Sequence, residues 1–361
     1  MTARKLKVAV LGAGNVGVAI SADLSLHGHY VALVKTSPSS SKAYKRIRHN
    51  WNVVMMKERG EYRKAKIAHV TTDLEIIREA DIVFVTVQST YHEDLVKRIA
   101  KYLRRTQIVV CICSYMSSFY FKKYCPFLPA IVETTGPYLE GRVELDDREG
   151  EVIFRVGCRL SHSPLSILDP EDVEFCMKRL KELYPGFSHD YNPIESALLN
   201  PNMILHTVGA IMSIPRIEYS DGNFCMYREA YSRKNEATMK IMLGLDEEKR
   251  KVLSSLGCRE IDIFQAGGFR GNPMESFYHY SESSDRAISP TSIRSRYITE
   301  DVSQGLVLLE SIAKRVGISV PLTSSLITIA GQALGVDFRE TGRTIERLGS
   351  ETYVDNCNRK V

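Results

Sequence analysis

Two kinds of hydrophobic patterning divide this chain. In the first half, short continuous apolar runs rich in β-branched residues recur. They fall at Leu6, Val8, Val10 and Leu11, and at residues 30–35, 67–71, 81–87, 107–113 and 130–135. Runs of this length without alternation predict strands buried on both faces of a parallel sheet. Segments of helical character separate them at residues 15–26, 73–80, 95–103 and 119–124, the second capped by Thr72 or Asp73. This β-α-β-α succession predicts a doubly wound, mainly parallel sheet. Residues 143–145 and 152–157 predict a hairpin turning at 146–150, and Pro170 opens a helix over 171–183. Residues 50–66 have no clear period; Trp51, Val53, Val54 and Met55 are expected to cover part of the sheet.

The breaker cluster Tyr184-Pro185-Gly186 predicts the end of this domain, giving residues 1–187 and a second domain at 188–361. From Asn192 onward the period changes to that of helices. They are expected at residues 194–212, 224–243, 246–255, 300–316, 323–334 and 338–348. Residues 266–296, interrupted by Gly267-Gly268, Gly271-Asn272-Pro273 and Ser289-Pro290, are expected to form a long loop. The fold expectation is an α/β dinucleotide-binding domain followed by an all-α domain, with the cleft between them as the default substrate site.

Composition adds limits. A chain of 361 residues suits two domains that each bury a core. Its net charge of +5 comes from basic residues dispersed among acids, which argues against a nucleic-acid partner. No apolar run approaches the ~20 residues of a membrane helix. The start, MTARKLKV, lacks the apolar core of a signal peptide, and the eight cysteines form no C-x-x-C pair or zinc spacing. A reducing cytoplasm is the expected compartment.

The chemistry begins with KLKVAVLGAGNVG. Gly12, Gly14 and Gly17 fit G-x-G-x-x-G between a strand and a helix, the context that turns a weak motif into a dinucleotide site. Gly12 serves the tight turn, Gly14 the approach of a pyrophosphate and Gly17 close helix packing. Ala13, Asn15 and Val16 complete the loop, whose free N–H groups face an anion at the helix start. An acidic residue at the end of the second strand would bind the ribose 2′-hydroxyl of NAD. Here stand Lys35, Thr36 and Ser37, with Lys42, Lys45, Arg46 and Arg48 beyond. Cations and hydroxyls bind a 2′-phosphate that a carboxylate repels, so NADP(H) is favoured and NAD(H) is the alternative. A solvated basic loop is the simpler reading of the same residues. His92, beyond the strand at 81–87, reads as a helix-start histidine, with a contact to the nicotinamide end as the alternative.

Two stretches stand out in the second half. One is NPNMILHTVG, with His206 among apolar neighbours; the other is SRYITEDV, where Thr299 is the expected N-cap and Asp301 falls in the first turn. The helix dipole there favours an ionised carboxylate. Taken alone, the two residues read as a core histidine and a helix-stabilising aspartate.

The run RYITEDVSQGLVLLESIAKRVGISVP, followed by DFRETGRTIERLG, resembles the helical domain of the opine dehydrogenases, the octopine/nopaline type. NPNMILHTVG resembles the helix bearing that family's catalytic histidine, and with GAGNVG the resemblance spans nearly the whole chain. It implies a Rossmann domain joined to a helical domain. It also implies NAD(P)H-dependent reductive condensation of an amino acid with a 2-keto acid. The family's catalytic pair falls on His206 and Asp301, and its substrate-binding arginine on Arg296. The partners implied are those two small molecules, and a homodimer is carried as an expectation. Two departures are visible. Lys35-Thr36-Ser37 replaces the acidic residue of many relatives, and Cys113-Ser114-Tyr115 replaces a smaller turn. The rival readings are a 2-hydroxyacid or 3-hydroxyacid dehydrogenase of similar build and a catalytically silent NADP-binding regulatory protein.

Overall fold

The computed structural model describes residues 5–39, 41–125, 127–283 and 289–358. Their contacts divide the chain into two compact units, Met1–Ser196 and Ala197–Val361.

The strands of the first unit are β1 (Lys7–Leu11), β2 (Tyr30–Val34), β3 (Val53–Glu58), β4 (Glu61–Lys66), β5 (His69–Thr71), β6 (Ile82–Val85), β7 (Ile108–Ile112), β8 (Ala130–Thr134), β9 (Leu139–Asp146), β10 (Glu151–Arg159), β11 (Ser163–Ile167) and β12 (Phe187–Tyr191). Its helices are α1 (Asn15–Leu26), α2 (Lys42–His49), α3 (His92–Ile99), α4 (Ser118–Tyr124) and α5 (Val173–Leu183). The main sheet has the order β12-β11-β8-β7-β6-β1-β2-β5. Strands β5, β2, β1, β6, β7 and β8 run parallel, and β11 pairs antiparallel with β8. The strand order reverses between β1 and β6, which puts a ligand crevice at their carboxyl ends. Val8, Val10, Ile82, Phe84, Val109 and Val110 are buried, so the apolar runs fill both faces of the sheet.

A second sheet, β4-β3-β10-β9, is where the structure departs from the patterning. Residues 50–66 form the hairpin β3–β4, and the expected hairpin β9–β10 joins it through parallel pairing of β10 with β3. Val53 and Val54 are buried as expected, but Trp51 is 82% exposed. Arg159 of β10 clamps this sheet to α1, donating to both oxygens of the buried Asp23 (2.8 and 3.1 Å) and to Glu58. The guanidinium beside Glu58 holds its carboxyl below the usual carboxylate range. The expected boundary at 187 is displaced, because β12 pairs with β11 and keeps residues 187–191 in the first unit. Residues 42–49, expected as part of a basic loop, form α2, with Ser41 Oγ accepting from Tyr44 N. The segment after Asp73 is a 3-10 helix, Leu74–Glu79, capped by Asp73.

Helix α6 (Pro193–Leu198) spans the point of division. The second unit then contains α7 (Asn202–Met212), α8 (Ile214–Ser220), α9 (Met226–Tyr231), α10 (Glu236–Ser255), α11 (Ile263–Ala266) and α12 (Pro273–Glu282). A further run joins α13 (Arg296–Thr299), a π-helical stretch at Asp301–Leu306 and α14 (Val307–Val316). The last helices are α15 (Pro321–Leu334), α16 (Phe338–Thr341), α17 (Ile345–Leu348) and α18 (Glu351–Asn358). Four expectations change. Pro201 splits the helix expected at 194–212, and the break expected before Asp246 lies instead at 232–235. The helix expected at 338–348 breaks at Gly342. The loop expected at 266–296 contains α12, with Asn272 as its N-cap and Pro273 at its first position. Helix α7 is buried from Met203 to Ile211 and packs against α9, α10, α13, the π-helical stretch and α15.

Two buried charges of α10 are satisfied within this unit. Lys249 Nζ donates to Asp246 Oδ1 (2.6 Å) and to the Ile261 carbonyl (3.0 Å). Glu248 accepts from the N–H groups of Leu322 and Thr323 at the start of α15, where losing a cap costs about 0.5–2 kcal/mol. Among the described residues no single helix is long and apolar enough to cross a membrane. The bent pair Pro193–Met212 and Ile214–Ser220 passes only on length and composition.

Candidate active site

In the first unit, the glycine loop leaves β1 and turns into α1. Gly12 has φ +121°, and a Cβ there would lie 2.7 Å from Thr86 Oγ1. The Thr86 hydroxyl donates to the Leu11 carbonyl (3.0 Å), fastening the turn to the end of β6. A Cβ on Gly17 would meet the Gly12 carbonyl oxygen at 1.7 Å, so α1 approaches the turn as closely as backbone allows. Gly14 differs: nothing lies within 4 Å of the place its Cβ would take. Gly14 is the N-cap of α1 and offers no side chain, so no cap closes the leading N–H groups of Asn15, Val16 and Gly17. Asn15 Oδ1 accepts from Val143 N of β9 (2.9 Å), which ties the loop to the second sheet. An open face above Gly14 and donors at a helix start fit a pyrophosphate. Ala13 completes the loop as a partly buried residue packed on the core.

At the end of β2, Lys35 Nζ donates to the Ser37 carbonyl and lies 3.3 Å from Ser37 Oγ. Arg98 of α3, which the sequence did not single out, reaches the same loop and donates to the Thr36 carbonyl (3.1 Å). The contact joins residues 62 apart, beyond the reach of local patterning. Lys35, Thr36, Ser37 and Arg98 therefore cluster at the carboxyl end of β2.

His92 is fully buried, with Nδ1 2.6 Å from Ser117 Oγ and Nε2 3.0 Å from the Val87 carbonyl. It is the helix-start histidine. The turn after β7 carries three non-glycine residues in left-handed conformation, Cys113, Tyr115 and Met116. Each costs about 1–2 kcal/mol. Burial of Tyr115 and Met116, at 1% and 0% exposure, returns about 1.5–3 kcal/mol apiece and holds the bulky turn in place.

In the second unit, His206 Nδ1 lies 2.8 Å from Asp301 Oδ2, and both residues are buried. Helix α7 supplies the histidine, and the run beginning at Arg296 supplies the aspartate. Thr299 is not an N-cap: its hydroxyl donates back to the Ser295 carbonyl (3.0 Å), and the helix has already begun at Arg296. Asp301 thus lies beyond the first turn, where the dipole has faded, and its paired nitrogen replaces the helix start as the source of stabilisation. The backbone widens into the π-helical stretch at Asp301, an irregularity that often accompanies function. Arg296 is partly exposed, with its guanidinium 3.7 Å from Glu300.

Tyr297, which sequence reasoning passed over, stacks on His206 with ring centroids 3.7 Å apart and planes 4° from parallel. Tyr297 and Asp301 are four residues apart, so one helix face presents both to the imidazole. That spacing was the signal available in the sequence. The ring also lies 5.6 Å from the Arg296 guanidinium carbon.

Residues 190–334 match the model of the NAD/NADP octopine/nopaline dehydrogenase alpha-helical domain. The helical domain is that of the octopine/nopaline dehydrogenases. Residues 8–113 match the ketopantoate reductase PanE/ApbA model. Over 98% of its length the chain is 24% identical to vitopine synthase of Allorhizobium ampelinum, covering 99% of that protein. It is also 24% identical to an opine dehydrogenase of Arthrobacter sp., with 94% of each chain covered. A structure of octopine dehydrogenase with NADH and L-arginine has the same fold, with a TM-score of 0.73, 19% identity and 97% of each chain covered. The protein is an NAD(P)-dependent oxidoreductase with a Rossmann-type first unit and a helical second unit.

Proposed function

We propose that the protein condenses the amine of an amino acid with a 2-keto acid and reduces the product to an N-(carboxyalkyl)amino acid. The observation that carries this reading is the buried His206–Asp301 pair, with Arg296 on the same helical run. Nicotinamide, when bound, supplies the hydride that reduces the imine carbon. With Nδ1 committed to Asp301, Nε2 of His206 exchanges protons with the reactants. It takes a proton from the incoming ammonium group, which makes the amine nucleophilic. It returns a proton to the carbinolamine hydroxyl as that leaves as water. Asp301 fixes the tautomer and steadies the imidazolium between these steps. Arg296 binds a substrate carboxylate through its planar fork.

NAD(P)H oxidation is expected to require an amino acid and a 2-keto acid together, with mass spectrometry finding the reduced adduct. Tests against pyruvate, 2-oxoglutarate and glyoxylate with each common amino acid define the pair. Full-rate reduction of the keto acid alone would transfer the protein to the hydroxyacid dehydrogenases.

NADPH is the proposed preferred cofactor. Lys35, Ser37 and Arg98 supply cations and a hydroxyl where an NAD site places a carboxylate. Lys35→Asp is expected to weaken NADPH binding by about tenfold or more, while NADH binding holds or improves. Equal or tighter NADH binding by the unmodified protein overturns the preference.

A further inference from the structure

We propose that Tyr297 is a positioning residue that fixes the plane of His206 and raises its basicity. The inference rests on His206 being the proton carrier, and its test separates the two claims.

The geometry sets the first effect. The hydrogen bond that Nδ1 donates to Asp301, at 2.8 Å, fixes a direction within the ring plane but does not by itself set that plane. The terminal ring torsion of histidine is broad and supplies little restraint of its own. A tyrosine ring at 3.7 Å and 4° from parallel removes the remaining rotation. Nε2 then points in one direction, which proton transfer to a reacting atom requires.

The second effect is electrostatic. An aromatic face carries negative potential, so a cation against it is stabilised. His206 is neutral before it takes a proton and cationic afterwards, so the stack favours the protonated form and adds to the pull of Asp301. The same ring lies 5.6 Å from the Arg296 guanidinium carbon, so it touches the arginine of its own helix start as well as the histidine of α7.

The elements packed against α7 carry Glu218, Arg228, Glu236, Lys240, Glu247, Arg250 and Lys251 besides the groups that follow. The run from Arg296 brings Arg296, Glu300 and Asp301. From α9 comes Tyr231, whose phenol donates to the Leu205 carbonyl, with burial pushing its ionisation far upward. Glu229 of α9 pairs with Arg216 of α8. On α10, Lys249 pairs with Asp246, and Glu248 bonds the start of α15, a helix with no charged side chain. Among these groups Tyr297 stacks on the imidazole face.

The test is the titration of His206 itself. Histidine-labelled full-length protein is followed by NMR against pH, and the His206 signal is assigned by its loss in His206→Gln. Tyr297→Leu removes the π-face and is expected to move the midpoint down by about half a pH unit or more. Tyr297→Phe keeps the face and restores the parent midpoint. Equal midpoints for Leu and Phe overturn the proposal. Should Tyr297→Leu fail to fold, Tyr297→Trp against Tyr297→Phe carries the test. The stronger indole face raises the midpoint, and no rise overturns the proposal. The histidine-dependent limb of the kcat/KM profile is expected to move with the NMR midpoint. A midpoint that moves while the kinetic limb stays upholds the stack and removes His206 from the proton-carrying role.

Discussion

His206→Ala is expected to lower kcat by about two to four powers of ten, the usual loss when a positioned acid–base group is removed. Cofactor affinity is expected to hold, because the glycine loop belongs to the other compact unit. The substitution also takes a partner from buried Asp301, and breaking a buried pair costs about 3–5 kcal/mol. Melting temperature therefore falls too, and activity must be compared at a temperature where both proteins are folded. Asp301→Asn separates the two effects. It keeps the size of the side chain and an acceptor for Nδ1 but loses the charge that stabilises imidazolium. The rate falls by less than in His206→Ala, and the histidine limb of the pH profile moves to lower pH. The double variant His206→Ala/Asp301→Asn is expected to be no slower than His206→Ala, because the two residues act as one unit. A folded His206→Ala protein that binds NADPH and turns over near the normal rate would remove the pair from the mechanism.

How much of this molecule its sequence discloses depends on what buries each element. The parallel strands stand out because both faces are covered: β6 and β7 are apolar at every position. The second sheet does not, because β4, EYRKAK, buries only Ala65 and shows no alternation. Strand β11, SPLSI, is buried but carries a proline and two serines, so composition hides it. Helix α12 was legible in Asn272-Pro273, a cap followed by a first-position proline, but the neighbouring glycines pointed to a loop. Thr299 was misread because its residue type suits an N-cap; the helix had started earlier, and a threonine inside a helix bonds backward to a carbonyl. The chemistry follows the same rule. His206 and Asp301 lie 95 residues apart, so periodicity cannot join them, and only the resemblance named both. Tyr297 needed no long-range information, since its spacing from Asp301 puts both on one face.

Gly17→Ala and Gly14→Ala are expected to fail in different ways, and the contrast tests the cofactor loop. A Cβ at Gly17 would sit 1.7 Å from the Gly12 carbonyl oxygen and 2.8 Å from Thr86 Oγ1. The carbonyl is backbone in a turn that cannot retreat, because Gly12 itself lies against Thr86. Helix α1 must move outward, which unseats Val18, Ala19 and Ala22 from the core. Overpacking of this kind costs about 1–3 kcal/mol or more, so the melting temperature drops by several degrees. Displacing α1 also misaligns the N–H groups at its start, and NADPH affinity is expected to fall by about a hundredfold. At Gly14 the backbone has φ −88°, which alanine adopts, and open space surrounds the added carbon. Gly14→Ala is therefore expected to fold and melt near the parent. Its methyl group occupies the face proposed for the pyrophosphate, so NADPH affinity falls although stability does not. Calorimetric binding and thermal melts on both variants decide the matter. Unchanged NADPH binding by Gly14→Ala would show that the phosphates lie elsewhere, and the loop would then be only the tight turn that Gly12 and Gly17 require.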